Sequence, residues 1–313
     1  MLTARDALFG MTLLAYFLGA VIFPANLFLK HPRLNRIGVQ ITFVGMLCHT
    51  GSIILRGTQS RMLPFSSLPE GWSFLAWGVV VIYLSIALRP RLPSLGAFAL
   101  PAALVGVLVA AATPASTPIL SGASHWGLAL HVAASILSIG AFALAFACAI
   151  CYLAQDHLLK AKRLEGLVRS LPPLGVLDTT SYWLIALGFC LLTVGMISGI
   201  ILVPEVLKAS WIQRPDTYAT LLLWLTFAVY LYVRGVGHWR GRRTHTVVVI
   251  AVAALLIVYG GVILLLRPAT LHGGTLISQA TASAIGRPLG PTRPLSAPRP
   301  PIMRESSPGA GER

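Results

Sequence analysis

Charged residues are scarce in this sequence, and acidic residues are the scarcest of them. Only 11% of the 313 residues are charged, with 9 Asp and Glu against 24 Lys and Arg. Hydrophobic residues make up 56%, and the mean hydropathy is +0.79. A soluble globular domain carries about a quarter charged residues, so this composition excludes that class. The sequence is that of a membrane protein.

Cysteine is also scarce, and its positions exclude an extracytoplasmic disulfide framework. All four cysteines fall inside long apolar runs: Cys48, Cys148, Cys151 and Cys190. Cys148 and Cys151 form a C-x-x-C pair, which is compatible with a membrane thiol relay. No basic group nearby would stabilise a thiolate, so buried packing is the favoured interpretation.

Long apolar runs are what the sequence has in abundance. A helix needs about 17–25 apolar residues to cross a hydrocarbon core, and eight runs approach or reach that length. They predict an all-α, polytopic membrane helix bundle. The first run shows no signal-peptide cleavage site, so we interpret it as a retained span. The predicted spans are Leu8–Leu29, Ile37–Leu55, Trp72–Leu88, Gly96–Ala112, Gly127–Ala154, Tyr182–Val203, Tyr218–Val233 and Thr246–Leu266.

Basic residues between the spans predict the orientation. The connections after spans one, three, five and seven hold most of the Lys and Arg outside the tail, whereas the opposite side holds only Arg5, Arg56, Arg61, Lys208 and Arg214. Cytoplasmic loops carry the excess of basic residues, so both termini are predicted to be extracytoplasmic. No basic face with interleaved aromatic residues appears outside the membrane, so nucleic acid is not an expected partner.

The C-terminal segment has a different composition from the rest of the chain. Residues 273–313 are rich in Pro, Gly, Ser and Arg and contain little to bury. Such segments remain disordered because they cannot offset the entropy of ordering. We therefore expect two regions, a transmembrane domain over 1–272 and a disordered tail over 273–313.

The histidines differ in their predicted depth. His31, His157, His238 and His245 lie among Lys and Arg in cytoplasmic connections, where we expect them to be solvated. His131 lies about one turn inside span five, and His272 follows span eight, so both are predicted at the outer face. Two neutral imidazoles from two helices can ligate one metal from opposite sides. A lone interfacial histidine that is merely hydrogen-bonded is the alternative.

Several stretches resemble the integral-membrane cytochrome c assembly family, the CcsA and HemX type. They include "LHVAASILSIGAFALAFACAICYLAQDHLLK", "LLLWLTFAVYLYVR", "HWRGRR" and "VYGGVILLLRPATLH". The resemblance implies that His131 and His272 are axial ligands of haem iron, flanking an outward tryptophan-rich loop that presents haem to apocytochrome c. It also matches His49 to a histidine within the membrane. A second intramembrane histidine of the family is replaced by Tyr232.

The outward loop departs from the family pattern. It reads "SWIQRPDTYATLLLW" and keeps Trp211, but Arg214 stands where the family has an acidic residue. Trp211 and Tyr218 are left as aromatic planes for haem, and Arg214 is suited to pair with a haem propionate. Haem attachment therefore stays the first hypothesis, with a weakened loop.

The resemblance leaves two functional hypotheses from different classes. In the first, the chain is a haem-handling protein of cytochrome c biogenesis in the bacterial cytoplasmic membrane. It would hold haem b and act with apocytochrome c and a second membrane assembly subunit. In the second, it is a HemX-like membrane regulator of haem biosynthesis without catalytic activity. An unrelated transporter is less favoured, because the predicted spans contain no Asp or Glu. The sequence offers no catalytic residue under any of the three hypotheses.

Overall fold

The computed structural model describes residues 4–29, 31–60, 63, 66–87, 95–114, 126–161, 172–207, 215–254 and 257. All of them belong to one compact unit, Met1–Gly261. A second unit, Val262–Arg313, contains none of the described residues. The predicted boundary at residue 272 and the tail over 273–313 therefore stay predictions.

All regular secondary structure in the described part of the chain is helical, which confirms the predicted all-α bundle. Six of the helices are long and apolar enough to span a membrane, α4 is shorter, and α8 is described over thirteen residues. The helices are α1 Ala4–Leu29, α2 Pro32–Ser60, α3 Leu68–Ala87, α4 Gly96–Ala112, α5 Trp126–Lys160, α6 Leu174–Leu207, α7 Pro215–Gly235 and α8, 242–254.

Several helices begin earlier than predicted, and two of them thereby include a buried carboxylate. α6 begins at Leu174, directly after Pro173, and therefore includes Asp178. α3 begins at Leu68 and includes Glu70. Both carboxylates are buried, so the prediction that no acidic residue lies inside a span is wrong. Each is tolerated because an arginine from another helix pairs with it.

The eight helices form two groups. α1, α2, α3 and α4 pack in a closed ring, in which each helix contacts its two neighbours. In the second group α5 and α6 form the most extensive pair, with α7 against α6, and α8 joins them through His245. α3 packs on α5 and thereby connects the two groups.

Small residues allow the helices to approach one another. A Cβ added to Gly45 of α2 would lie 2.6 Å from the Cβ of Ala15 on α1. Similarly, one added to Gly188 of α6 would lie 2.6 Å from the ring of Phe142 on α5. Close packing of this kind replaces the hydrophobic effect as the force between membrane helices.

The C-x-x-C pair lies in this packed interior. Cys148 and Cys151 are both buried and free. This confirms the interpretation of the pair as buried packing.

Candidate functional site

His131 is the sequence-predicted site residue whose surroundings are best defined. It lies one turn after α5 begins, and its Nδ1 is 2.6 Å from the carbonyl oxygen of Gly195 on α6. A carbonyl oxygen only accepts hydrogen bonds, so Nδ1 carries the proton and donates. The lone pair of the neutral imidazole is then on Nε2, which no described residue contacts by a hydrogen bond. This is the tautomer that ligates a metal through Nε2.

Glycines on α6 make room for the His131 ring. A Cβ added to Gly199 would lie 2.7 Å from Cε1 of His131 and 2.8 Å from its Nδ1. One added to Gly195 would lie 2.7 Å from Oγ of Ser135, one turn further along α5. Both glycines therefore pack closely against α5, and Gly199 leaves the space in which the imidazole lies.

The start of α5, the end of α6 and the start of α7 lie at one face of the bundle. The contact between His131 and Gly195 joins the start of α5 to the second half of α6. α7 is connected to α6 by Trp224, whose Nε1 donates to Oγ1 of Thr193 at 2.9 Å. Tyr218, at the start of α7, is therefore on the same face as His131, and its side chain is 58% exposed.

The other predicted haem-contacting residues are only partly accounted for. Tyr218 and His131 are both described, and they form neither a hydrogen bond nor a ring contact with each other. Trp211 and Arg214 belong to the segment between α6 and α7, outside the described residues. His272 also lies outside them. Their grouping with His131 stays a prediction.

His49 is fully buried and bound on both sides. Its Nδ1 is 3.2 Å from the hydroxyl of Tyr16 on α1, and its Nε2 is 2.8 Å from Oγ of Ser73 on α3. The rings of Phe9 and Tyr16 approach it edge-on. Both nitrogens are thus occupied by hydroxyl groups. For His49 to ligate a metal, one of these hydrogen bonds would have to be exchanged.

Polar contacts also join α2 to α3 about one turn before and one turn after Ser73, the α3 partner of His49. Arg56 pairs with Glu70 at the start of α3, and Nε1 of Trp77 donates to Oγ1 of Thr50 at 2.9 Å. Glu70 in turn accepts from the backbone N–H of Ser67 at 3.1 Å, which is half of a capping box. These contacts fix α2 against α3 and hold His49 in place.

A second buried polar cluster was not predicted from the sequence. Nη2 of Arg234, on α7, lies 2.7 Å from Oδ2 of Asp178 on α6. Nε2 of His245, on α8, lies 3.1 Å from Oδ1 of the same carboxylate. The ring of Tyr152, on α5, stacks on His245 with 4.0 Å between centroids. The cluster therefore contacts all four helices of the second group.

His245 is consequently buried, and its predicted solvation is wrong. Its side chain is 0% exposed, because α8 begins immediately before it and turns it inward against α5 and α6. The predicted exposure of His31, His157 and His238 is confirmed. The sequence did contain a signal for the cluster. Asp178 is a lone aspartate at the start of an apolar helix, on the side where arginines accumulate.

The described residues alone do not form a metal site. No three His, Cys, Asp or Glu side chains in the described ranges are close enough to share an ion. His131 is therefore suited to contribute one axial imidazole to a metal that arrives with its own equatorial ligands, as the iron of a tetrapyrrole does.

Comparison with known proteins gives one consistent result. Residues 65–268 match the family described as cytochrome C assembly protein. A protein of Chlorella vulgaris named cytochrome c biogenesis protein CcsA is 30% identical, over 70% of this chain and 80% of its own length. A protein of the same name from Gloeobacter violaceus is 27% identical, over 78% of this chain and 88% of its own. A third protein of this name, from Thermosynechococcus vestitus, is 27% identical over 84% of this chain and 93% of its own length.

Proposed function

This chain belongs to the cytochrome c assembly protein family, and from that premise we propose that it holds haem for covalent attachment to apocytochrome c. It is a multi-pass membrane protein of cytochrome c biogenesis. The regulatory, HemX-like alternative receives no support from the relatives, which are named for cytochrome c biogenesis.

The observation that carries the proposal is the state of His131. Its Nδ1 donates to the Gly195 carbonyl, so its Nε2 lone pair is free at the end of the bundle. The ring also occupies the space that a side chain at position 199 would fill, so α6 fixes the imidazole by packing as well as by a hydrogen bond. Orientation of an imidazole by a backbone carbonyl is the usual support of a metal ligand. His131 is thus suited to ligate the iron of haem b, which is cargo here.

The remaining site residues complete the proposal from sequence. His272 supplies the opposite axial ligand, and Trp211 and Tyr218 supply planes for the porphyrin to rest on. Arg214 pairs with a propionate in a charge-assisted contact. His49 is a second, internal imidazole that becomes a ligand only when it releases the hydroxyl of Tyr16 or Ser73.

The contribution of the chain is positioning. Bound haem supplies vinyl groups that accept the cysteine thiols of apocytochrome c, and the residues of this chain hold the ring where those thiols can reach it. We place the protein in the bacterial cytoplasmic membrane with its haem site outward. A second membrane assembly subunit is its expected partner.

Covalent haem formation in a heterologous host tests the proposal. The chain is expressed with its cognate partner in a bacterium that lacks its own cytochrome c assembly proteins, and covalently bound haem is detected by staining after denaturing electrophoresis. Haem-stained cytochrome c is expected with the native chain. It is expected to be lost with His131→Ala and strongly reduced with Arg214→Asp, because these remove an axial ligand and a propionate partner.

His238→Ala serves as the matched control, since His238 is exposed at the opposite end of the bundle. It is expected to leave the stain unchanged. Equal staining for His131→Ala and His238→Ala would refute the role of His131. No covalent haem with the native chain, together with altered levels of haem precursors, would reject the assembly function in favour of the regulatory one.

A further inference from the structure

A groove runs along the outside of the bundle between α7 and α8. Leu225, Val229 and Val233 of α7 form one wall, and Trp239, Thr244 and Val247 contribute the other. Leu225 and Val229 are each 53% exposed, so the groove opens away from the protein. In a membrane protein this surface faces lipid.

The length of the groove suits an acyl chain. From Leu225 to Val233 the α7 wall extends about 12 Å at 1.5 Å per residue. One leaflet contributes about half of a hydrocarbon core that is about 30 Å thick. The apolar wall therefore covers most of the depth of one leaflet and ends where the link to α8 begins.

Three arginines are close to groove residues in sequence, in the link and the first turn of α8. Arg240, Arg242 and Arg243 are exposed and form no ion pair with any described residue. Arg240 follows the groove residue Trp239, and Arg243 precedes the groove residue Thr244. The nearby Arg234 is not available, because it is held by Asp178. The cations at this end are thus without an anion from the described protein.

The backbone of the link holds these residues against the groove. Residues 236–241 reverse the chain between α7 and α8, and two of them have a left-handed conformation, His238 with φ 51° and Gly241 with φ 91°. A left-handed histidine is uncommon. The tight reversal contains Trp239, an interfacial residue type, which lines the groove and precedes Arg240.

We propose that this groove is a binding site for an anionic phospholipid, with an acyl chain along α7 and the phosphate on the arginines of the link. The charge is complementary, since the link and the first turn of α8 carry three arginines that pair with no described carboxylate, and residues 236–243 include no acidic residue. The apolar wall is complementary to a hydrocarbon chain. Basic pockets between membrane helices recognise anionic headgroups by this combination. The bound lipid would join α7 to α8, which carries His245 of the buried cluster.

Lipid titration followed by native mass spectrometry tests the arginines. The full chain in detergent is titrated with phosphatidylglycerol or phosphatidylcholine, and the Kd is obtained from the populations of bound states. Arg240→Gln/Arg243→Gln is expected to weaken phosphatidylglycerol binding about thirtyfold, the effect of two arginines near a membrane surface. Arg33→Gln/Arg36→Gln is the matched control, because it removes two exposed arginines elsewhere and should leave the Kd unchanged.

A second pair of variants tests the apolar wall without altering the charge. Val229→Trp fills the groove, whereas Val21→Trp adds the same side chain at an equally exposed position on α1. Only Val229→Trp is expected to abolish the bound phosphatidylglycerol.

Three results would overturn the proposal. These are equal Kd values for the two arginine double variants, phosphatidylcholine binding as tightly as phosphatidylglycerol, or an unchanged Kd for Val229→Trp. The proposal would also be rejected if the native chain bound haem instead of lipid and Arg240→Gln/Arg243→Gln lost that haem. The groove would then be a haem site.

Discussion

At the scale of single residues, the imidazole of His131 depends on two glycines of the neighbouring helix. The Gly195 carbonyl selects the tautomer, and the missing side chain of Gly199 leaves space for the ring. Neither effect comes from a polar side chain, so the support of this ligand is made by backbone alone. Both positions favour glycine, because a Cβ at 195 would lie 2.7 Å from Oγ of Ser135 and one at 199 would lie 2.7 Å from the His131 ring.

Gly199→Ala is therefore expected to disturb haem binding although it introduces no charge. The added Cβ would lie 2.7 Å from the His131 ring, so the imidazole must shift away from its carbonyl. Loss of support for a metal ligand typically weakens binding about 10- to 100-fold. Absorption spectra of the purified protein titrated with haem should show the weaker affinity and a change from low-spin to high-spin iron.

Gly10→Ala is the control for this substitution. An alanine at position 10 of α1 would meet no atom within 4 Å, and alanine favours a helix over glycine by about 1 kcal/mol. It should leave haem affinity unchanged. If Gly199→Ala had the same spectrum and haem affinity as the native chain, Gly199 would not position the His131 imidazole.

At the scale of helices, the buried cluster of Asp178, Arg234 and His245 holds the second group together at its basic end. Asp178 accepts from two helices at once, through Nη2 of Arg234 at 2.7 Å and Nε2 of His245 at 3.1 Å. The Arg234 guanidinium also lies 4.9 Å from the ring centroid of Tyr182 on α6. Removing one partner from such a pair leaves an uncompensated charge in a medium of low dielectric constant.

Asp178→Asn is accordingly expected to lower the free energy of unfolding by about 3–5 kcal/mol. The measurement is unfolding of the purified protein in mixed micelles of increasing denaturing detergent, followed by circular dichroism. Asp156→Asn provides the comparison, because Asp156 pairs with the exposed Lys160 on the surface of α5, and such a pair contributes less than about 1 kcal/mol.

A double variant separates the buried charge from the loss of a contact. Asp178→Asn/Arg234→Gln removes the unpaired guanidinium as well, so it should be more stable than Asp178→Asn alone. If Asp178→Asn lowered the free energy of unfolding no more than Asp156→Asn does, the cluster would not be what stabilises the second group.

At the scale of the whole molecule, two helical groups are connected through α3 and α5, and the His131 site and the buried Asp178 cluster lie at opposite ends of the second group. The ends of α5 and α7 and the starts of α6 and α8 meet at the Asp178 cluster. The described basic residues Lys160, Arg234, Arg240, Arg242 and Arg243 are therefore at that end. This is the distribution expected when that end is cytoplasmic.

Reporter fusions test the orientation of the molecule. Fusions after Arg169 and after Arg243 are expected to report the cytoplasm, and a fusion after Gly274 is expected to report the outside. The reason is the excess of basic residues in the connections after spans one, three, five and seven. A cytoplasmic reporter signal after Gly274 would place His272 on the opposite side from His131 and remove the proposed pair of axial ligands.

The sequence by itself determined the class, the helices of the described part of the chain, and the position of His131 inside an apolar run. Runs of apolar residues fix membrane helices strongly, because backbone polar groups in lipid must be satisfied within the segment itself. The predicted Gly96–Ala112 agrees with α4 for the same reason. Its place in an apolar run showed that the His131 imidazole needs a partner, and the family resemblance implied that this partner is haem iron.

Only the tertiary structure decided what those residues contact. Three contacts join helices that are distant in sequence. They are the packing and hydrogen bonding of His131 on α6, the two hydrogen bonds of His49, and the pairing of buried His245 with Asp178. Helix faces are similar in composition throughout this apolar chain, so local pattern cannot tell which face meets which. That choice is made by close packing at small residues and by the pairing of the few buried charges, which are properties of the assembled bundle.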